Sequence, residues 1–141
     1  MNGTSIADFD GNTISNNEAN SNSTSAYSEA YGGGIYSQNG TITITYTGNT
    51  LENNKAISTT DSTTSDIRAY GGAIYNQSSV NSTYTNNTIN SNLVDATNTT
   101  RRAESFGAGI YNRGNGTSTN TFTGNNMDGN QALATTTTGY A

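Results

Sequence analysis

The sequence predicts an all-β solenoid, a chain wound into stacked coils of strands. Two observations carry that prediction: an internal repeat, and a period-two alternation within it. A block ending in Asn returns four times, as Phe9-Asp10-Gly11-Asn12, Tyr46-Thr47-Gly48-Asn49, Tyr84-Thr85-Asn86-Asn87 and Phe122-Thr123-Gly124-Asn125, at spacings of 37, 38 and 38 residues. A glycine block returns three times, as Gly32-Gly33-Gly34-Ile35-Tyr36, Gly71-Gly72-Ala73-Ile74-Tyr75 and Gly107-Ala108-Gly109-Ile110-Tyr111. An Asn-Gly-Thr lead-in recurs at residues 2–4, 39–41 and 115–117.

Along one unit each element has its reason. From Thr41 to Thr47 the chain alternates, which puts Ile42, Ile44 and Tyr46 on one strand face and threonines on the other. Three places after the aromatic residue stands Asn in every unit: Asn12, Asn49, Asn87 and Asn125. Five places on the residue is aliphatic, as Ile14, Leu51, Ile89 and Met127. Eight places on it is Asn again, as Asn17, Asn54, Asn92 and Asn130, and ten places on it is small and apolar, as Ala19, Ala56, Val94 and Ala132. Equivalent residues of successive coils then form ladders roughly 4.8 Å apart, in which a buried Asn donates to one coil and accepts from the other. Polar stretches at about 20–30, 58–69 and 97–105 follow, expected as excursions or lengthened strands. The glycine block closes the unit with a third apolar column, Ile35, Ile74 and Ile110. The expectation is one array over 1–141 of about four coils of 36–39 residues, with units near 1–31, 32–70, 71–106 and 107–141.

Composition fits a narrow coil. Asn, Thr and Ser supply 65 of the 141 residues, hydrophobic residues 30%, and the mean hydropathy is -0.69. So little apolar surface cannot fill a broad core, but a slim solenoid buries only one line of side chains per strand. The absence of Cys and His removes disulfides, the usual zinc sites and the commonest general base. A net charge of -5 and a pI near 4.2 argue against a nucleic-acid partner. No apolar stretch approaches membrane-spanning length, and Asn-Gly-Thr after Met1 is no export signal.

Gly-Gly-Ala-Ile followed by Phe-x-x-Asn resembles the repeat pair of chlamydial polymorphic membrane proteins. Similar Gly-Gly-Gly-Ile-Tyr repeats occur in many bacterial surface proteins and autotransporter passengers. The resemblance spans nearly the whole chain. It implies a right-handed parallel β-helix of the pectin-lyase-like kind, exposed on a cell surface. Two of the four aromatic positions depart from the pattern, being Tyr46 and Tyr84 rather than Phe, and each unit carries the extra polar stretch.

Catalytic chemistry finds little support. Many β-helix proteins act on polysaccharides, which takes clustered carboxylates in a long groove. Here Asp61, Asp66, Asp95 and Asp128 share no column, and Arg68, Arg101, Arg102 and Arg113 form no evident cluster. Asp8-Phe9-Asp10-Gly11-Asn12 looks like a calcium loop, but Thr13 and Ala19 stand where the helix-loop-helix pattern needs Gly and Glu. No catalytic, metal or cofactor residue is therefore expected. Thr45 and Thr47, Thr83 and Thr85, and Thr121 and Thr123 form a Thr-x-Thr array resembling the surfaces of β-helical ice-binding proteins, although Thr also simply favours exposed strand faces. Tyr36, Tyr75 and Tyr111 form a column that could contact glycans, and the packing of a coil corner is the stronger expectation. Eight Asn-x-Ser/Thr sequons, Asn76 and Asn98 among them, follow from composition.

The expected function is a non-catalytic, extracellular structural or adhesive rod, with ice binding and polysaccharide chemistry as the rivals. Glycine blocks number three against four aromatic-Asn blocks, and neither terminus reads as a cap. The expectation is a fragment of a longer bacterial surface protein or a subunit stacking end to end into a fibre. Its partners would be itself or neighbouring repeats, and a host-surface or glycan receptor.

Overall fold

The computed structural model describes residues 4–24, 26–38, 41–77, 79–114 and 118–136. They contain eighteen strands and no helix. The first coil runs β1 (Thr4–Asp10), β2 (Thr13–Ser15), β3 (Glu18–Ser23), β4 (Ser28–Tyr31) and β5 (Ile35–Ser37). The second runs β6 (Thr41–Thr47), β7 (Thr50–Glu52), β8 (Lys55–Thr60), β9 (Ile67–Tyr70) and β10 (Ile74–Gln77). The third runs β11 (Ser79–Thr85), β12 (Thr88–Asn90), β13 (Leu93–Asn98), β14 (Ala103–Phe106) and β15 (Ile110–Arg113). β16 (Asn120–Thr123), β17 (Asn126–Asp128) and β18 (Gln131–Thr136) begin another.

Like strands of successive coils pair in parallel and make five sheets: A (β1-β6-β11-β16), B (β2-β7-β12-β17), C (β3-β8-β13-β18), D (β4-β9-β14) and E (β5-β10-β15). The chain is a parallel β-solenoid. The expected count of about four coils is corrected to three complete turns and three strands of the next, because sheets D and E hold three strands each among the described residues. The Asn-Gly-Thr lead-ins fall wholly or partly on residues outside those described.

The polar stretches, expected as excursions or lengthened strands, combine the two, strands running into them with loops between. The strands belong to sheets C and D, and 24–27, 61–66 and 99–102 lie between them. Their alternation is written in small and polar residues: Ala56, Ser58 and Thr60, then Val94, Ala96 and Asn98, turn inward and are buried.

Two bends flank the three-residue strands of sheet B. In each, a residue with positive φ precedes a ladder Asn: Asn16, Asn53, Asn86 and Ser91 take φ of 53–58°, and Gly11, Gly48, Gly124 and Gly129 take 61–64°. Asn is the side chain that best tolerates this left-handed region, and a second Asn side chain inside then ties the bend. The glycine block makes the bend between sheets D and E, where a Cβ on Gly72 would lie 2.4 Å from the Ala108 carbonyl oxygen of the next coil.

The core has two lobes. Sheets A, B and E enclose Ile44, Tyr46, Leu51, Ile74, Tyr84 and Ile89. Sheets C and D enclose the smaller Ala56, Ile67, Ala69, Val94, Ala96 and Ala103. Large side chains fill the wide lobe and alanines the thin one, so a chain poor in apolar residues still packs at every coil.

Candidate functional site

Two asparagine ladders hold the coils in register. Asn49 uses all its capacity: its Oδ1 accepts from the Asn12 backbone N–H (2.9 Å) and Nδ2 (3.1 Å), while its own Nδ2 donates to Phe9 O (2.8 Å) and Asn87 Oδ1 (3.0 Å). Asn87 repeats the pattern toward Asn125 and back to Tyr46 O. The second ladder does the same through Asn17, Asn54, Asn92 and Asn130, with Nδ2 donating back to Ile14 O, Leu51 O and Ile89 O. In both ladders each Asn but the last gives its backbone N–H and one amide hydrogen forward, and each but the first receives on Oδ1 from behind. The ladders therefore have a direction.

Sequence reasoning missed a third polar ladder, directly after the glycine block. Ser37, Asn76 and Asn112 stack along sheet E, with Asn76 Nδ2 donating to Asn112 Oδ1 (2.9 Å) and to Tyr84 Oη (2.9 Å). The signal was there: Asn follows Ile-Tyr in two of the three glycine blocks. The sequon asparagines Asn76 and Asn98 are both buried, so the folded chain closes them to a glycan.

The apolar columns form with burial graded along the array. Ile35, Ile74 and Ile110 pair in register, Ile74 fully buried and its neighbours half-buried. Ile14, Leu51, Ile89 and Met127 pair likewise, the middle two buried and Met127 48% exposed.

On the outside of sheet A the threonines stand in two columns. Thr45, Thr83 and Thr121 pair in register above Asp8, and Thr47, Thr85 and Thr123 above Asp10. The inward neighbours Ile44, Tyr46, Ser82 and Tyr84 are buried, which sends the threonines outward. Asp8 and Asp10 lie on this open face at its first strand, both exposed.

Tyr36, Tyr75 and Tyr111 form half of a larger aromatic slab. A second column, Tyr31, Tyr70 and Phe106, interleaves with it, with ring centroids 5.1–5.6 Å apart and planes within 23° of parallel. Stacking covers the ring faces, and Tyr70 and Tyr75 in the middle of the slab are buried. A sugar ring that binds by lying on an aromatic face finds few faces here. Beside the slab, Glu29, Arg68 and Glu104 make a column of alternating charge. Arg68 Nε donates to Glu104 Oε2 at 2.7 Å, which holds its guanidinium more firmly protonated, and its Nη1 donates to Tyr27 Oη. Glu29 accepts from the Tyr27 and Tyr31 hydroxyls, and burial together with that carboxylate pushes the Tyr31 phenol up.

Arg101 pairs with Asp66 at 3.4 Å and Arg102 with Glu104 at 2.6 Å. Three of the four arginines expected to stand apart are thus gathered on one edge. Loops of unequal length hid this, because the strands of sheet D are offset by 39 and then 36 residues rather than 37 and 38. Asp95 and Asp128 lie in separate columns of sheets C and B, paired with Ile57 and Asn90. Among the described residues no three acidic side chains gather into a candidate metal centre.

A hollow opens at the mouth of the first coil. It measures about 630 Å³ and is lined by Phe9, Ile14, Ile35, Asn17 and Tyr36 among others. At the opposite end Phe122 and Met127 are about half exposed. No family model matches the chain, and neither a curated protein nor a solved structure matches it.

Proposed function

We propose that the chain is a non-catalytic structural and adhesive rod, carried outside the cell by a bacterium. One observation supports this most: the buried asparagines are spent on holding coil to coil. Asn49, Asn54, Asn87 and Asn92 are buried and saturated by neighbouring coils. What remains outward is a set of regular columns on flat sheets, suited to display and poor in the concave, convergent groups that chemistry needs. The likeness of the glycine and aromatic-Asn repeats to those of chlamydial polymorphic membrane proteins and autotransporter passengers agrees with this role. The test is paired. Immobilised chain should retain host-cell surface material or arrayed glycans while leaving soluble polysaccharides uncut. Turnover of a polysaccharide that is lost on changing Asp61, Asp66, Asp95 or Asp128 to Asn would overturn the reading.

Ice binding is the second reading, favoured by the in-register columns Thr45-Thr83-Thr121 and Thr47-Thr85-Thr123. It requires thermal hysteresis that disappears in a Thr83→Lys/Thr85→Lys variant. Freezing-point behaviour equal to that of an inert protein at the same concentration removes it.

A further inference from the structure

We infer that the two ends of the array are docking surfaces for a second copy of this chain. The copies join head to tail, with β16, β17 and β18 of one in register on β1, β2 and β3 of the next. The inference rests on the structural-rod reading and names the rod's partner. The molecule itself shows what covers such a surface, since each internal coil is capped by a coil with the same aromatic residue and the same two asparagines in register.

Ladder direction makes the ends complementary. At the first coil, Asn12 and Asn17 are exposed, and among the described residues their Oδ1 atoms have no counterpart of the pair of donors that Asn49 and Asn54 receive. At the last, Asn125 and Asn130 give one amide hydrogen back to Tyr84 O and Ile89 O. Their backbone N–H groups and remaining amide hydrogens have no acceptor among the described residues. One end offers acceptors where the other offers donors, at matching positions. The Phe122 and Met127 carbonyls also stand where those of Tyr84 and Ile89 receive an amide. The apolar column continues too: Phe9, Tyr46, Tyr84 and Phe122 stack at 4.6–5.2 Å, so Phe122 would meet Phe9 of the second copy.

Charge selects the orientation. Asp8, Asp10 and Glu18 ring the first coil, and head-to-tail docking sets them against Thr121, Thr123 and Gln131. Pairing two first coils would instead bring six carboxylates together, which like-charge repulsion disfavours. The contact is heterologous and open, so it propagates into a filament. Each chain adds four strands to sheet A, an axial repeat of about 19 Å.

The experiment is sedimentation velocity on the 1–141 chain over a hundredfold concentration range, with electron microscopy of the densest samples. Mass should rise with concentration. Thr121→Glu/Thr123→Glu should weaken association about tenfold through repulsion from Asp8 and Asp10, and Thr121→Lys/Thr123→Lys should strengthen it. Adding Asp8→Lys/Asp10→Lys to the glutamate variant should restore association. Circular dichroism of each variant reports folding, and these positions point outward. A folded parent that stays monomeric overturns the docking and leaves the rod reading standing, whereas polysaccharide turnover would overturn that reading alone. Glutamate and lysine variants that associate equally also overturn the docking.

Discussion

An asparagine amide has two donors and two acceptor sites, and Asn49 and Asn87 fill all four inside the solenoid. This explains how a chain so poor in apolar residues holds together, since a buried polar group is destabilising only when a partner is missing. Asn87→Ala orphans the Asn49 backbone N–H and amide and the Tyr46 carbonyl, and should cost ~1–3 kcal/mol for each group left dry. Asn125→Ala, with one side open to water, should cost clearly less in the same urea titration. Equal losses would mean the ladder is not the tie it looks to be. Ser82 is the opposite case: its hydroxyl is buried with no partner, in a column with Ile44. Ser82→Ala should be neutral or stabilise by up to about 1 kcal/mol.

At the scale of strands and bends, the tightest constraint is backbone approach between coils. Gly72→Ala drives a methyl group against the carbonyl oxygens of Ala108 and Leu93, 2.4 and 2.7 Å from the new atom, and should lower the melting temperature sharply. The buried Tyr46–Tyr84 stack sets a pH limit. Burial chiefly, and then the neighbouring Tyr84 phenol, raises the Tyr46 pKa well above 10.0. The folded state keeps the proton where the unfolded chain has lost it, so this contribution is complete below about pH 10 and declines as pH rises beyond it. Urea midpoints at pH 9 and 11, read beside phenolate absorbance, should show stability falling as tyrosines ionise. The strands of sheets A and B and both asparagine columns were legible because their spacing is constant and their aromatic and aliphatic residues announce the inner face. Sheet C was legible at the column of Ala19, Ala56, Val94 and Ala132. Beyond it, and in sheet D, excursion and lengthened strand stayed open, because Ser58, Thr60 and Asn98 face inward with Ala where polar residues ordinarily face water. The Glu29-Arg68-Glu104 column was hidden by loop lengths that shift its offset.

Across the whole molecule, stability is close to one-dimensional, with each coil supported only by the coil before and the coil after it. Burial already shows the gradient, for Leu51 and Ile89 are sealed while Ile14 is half-buried and Met127 half-exposed. Local opening should therefore start at the ends, where a coil releases one neighbour instead of two. Hydrogen exchange on dilute chain should be slowest in β7, β8, β12 and β13 and fastest in β1–β3 and β16–β18. Head-to-tail docking adds a further condition, because it gives each end coil its missing neighbour. Raising the concentration should then slow exchange in β1–β3 and β16–β18 together, while β14 and β15, over which the described residues place no further strand, gain little. Slowing confined to one end would point to a different contact, since a heterologous joint between identical chains must protect both of its surfaces.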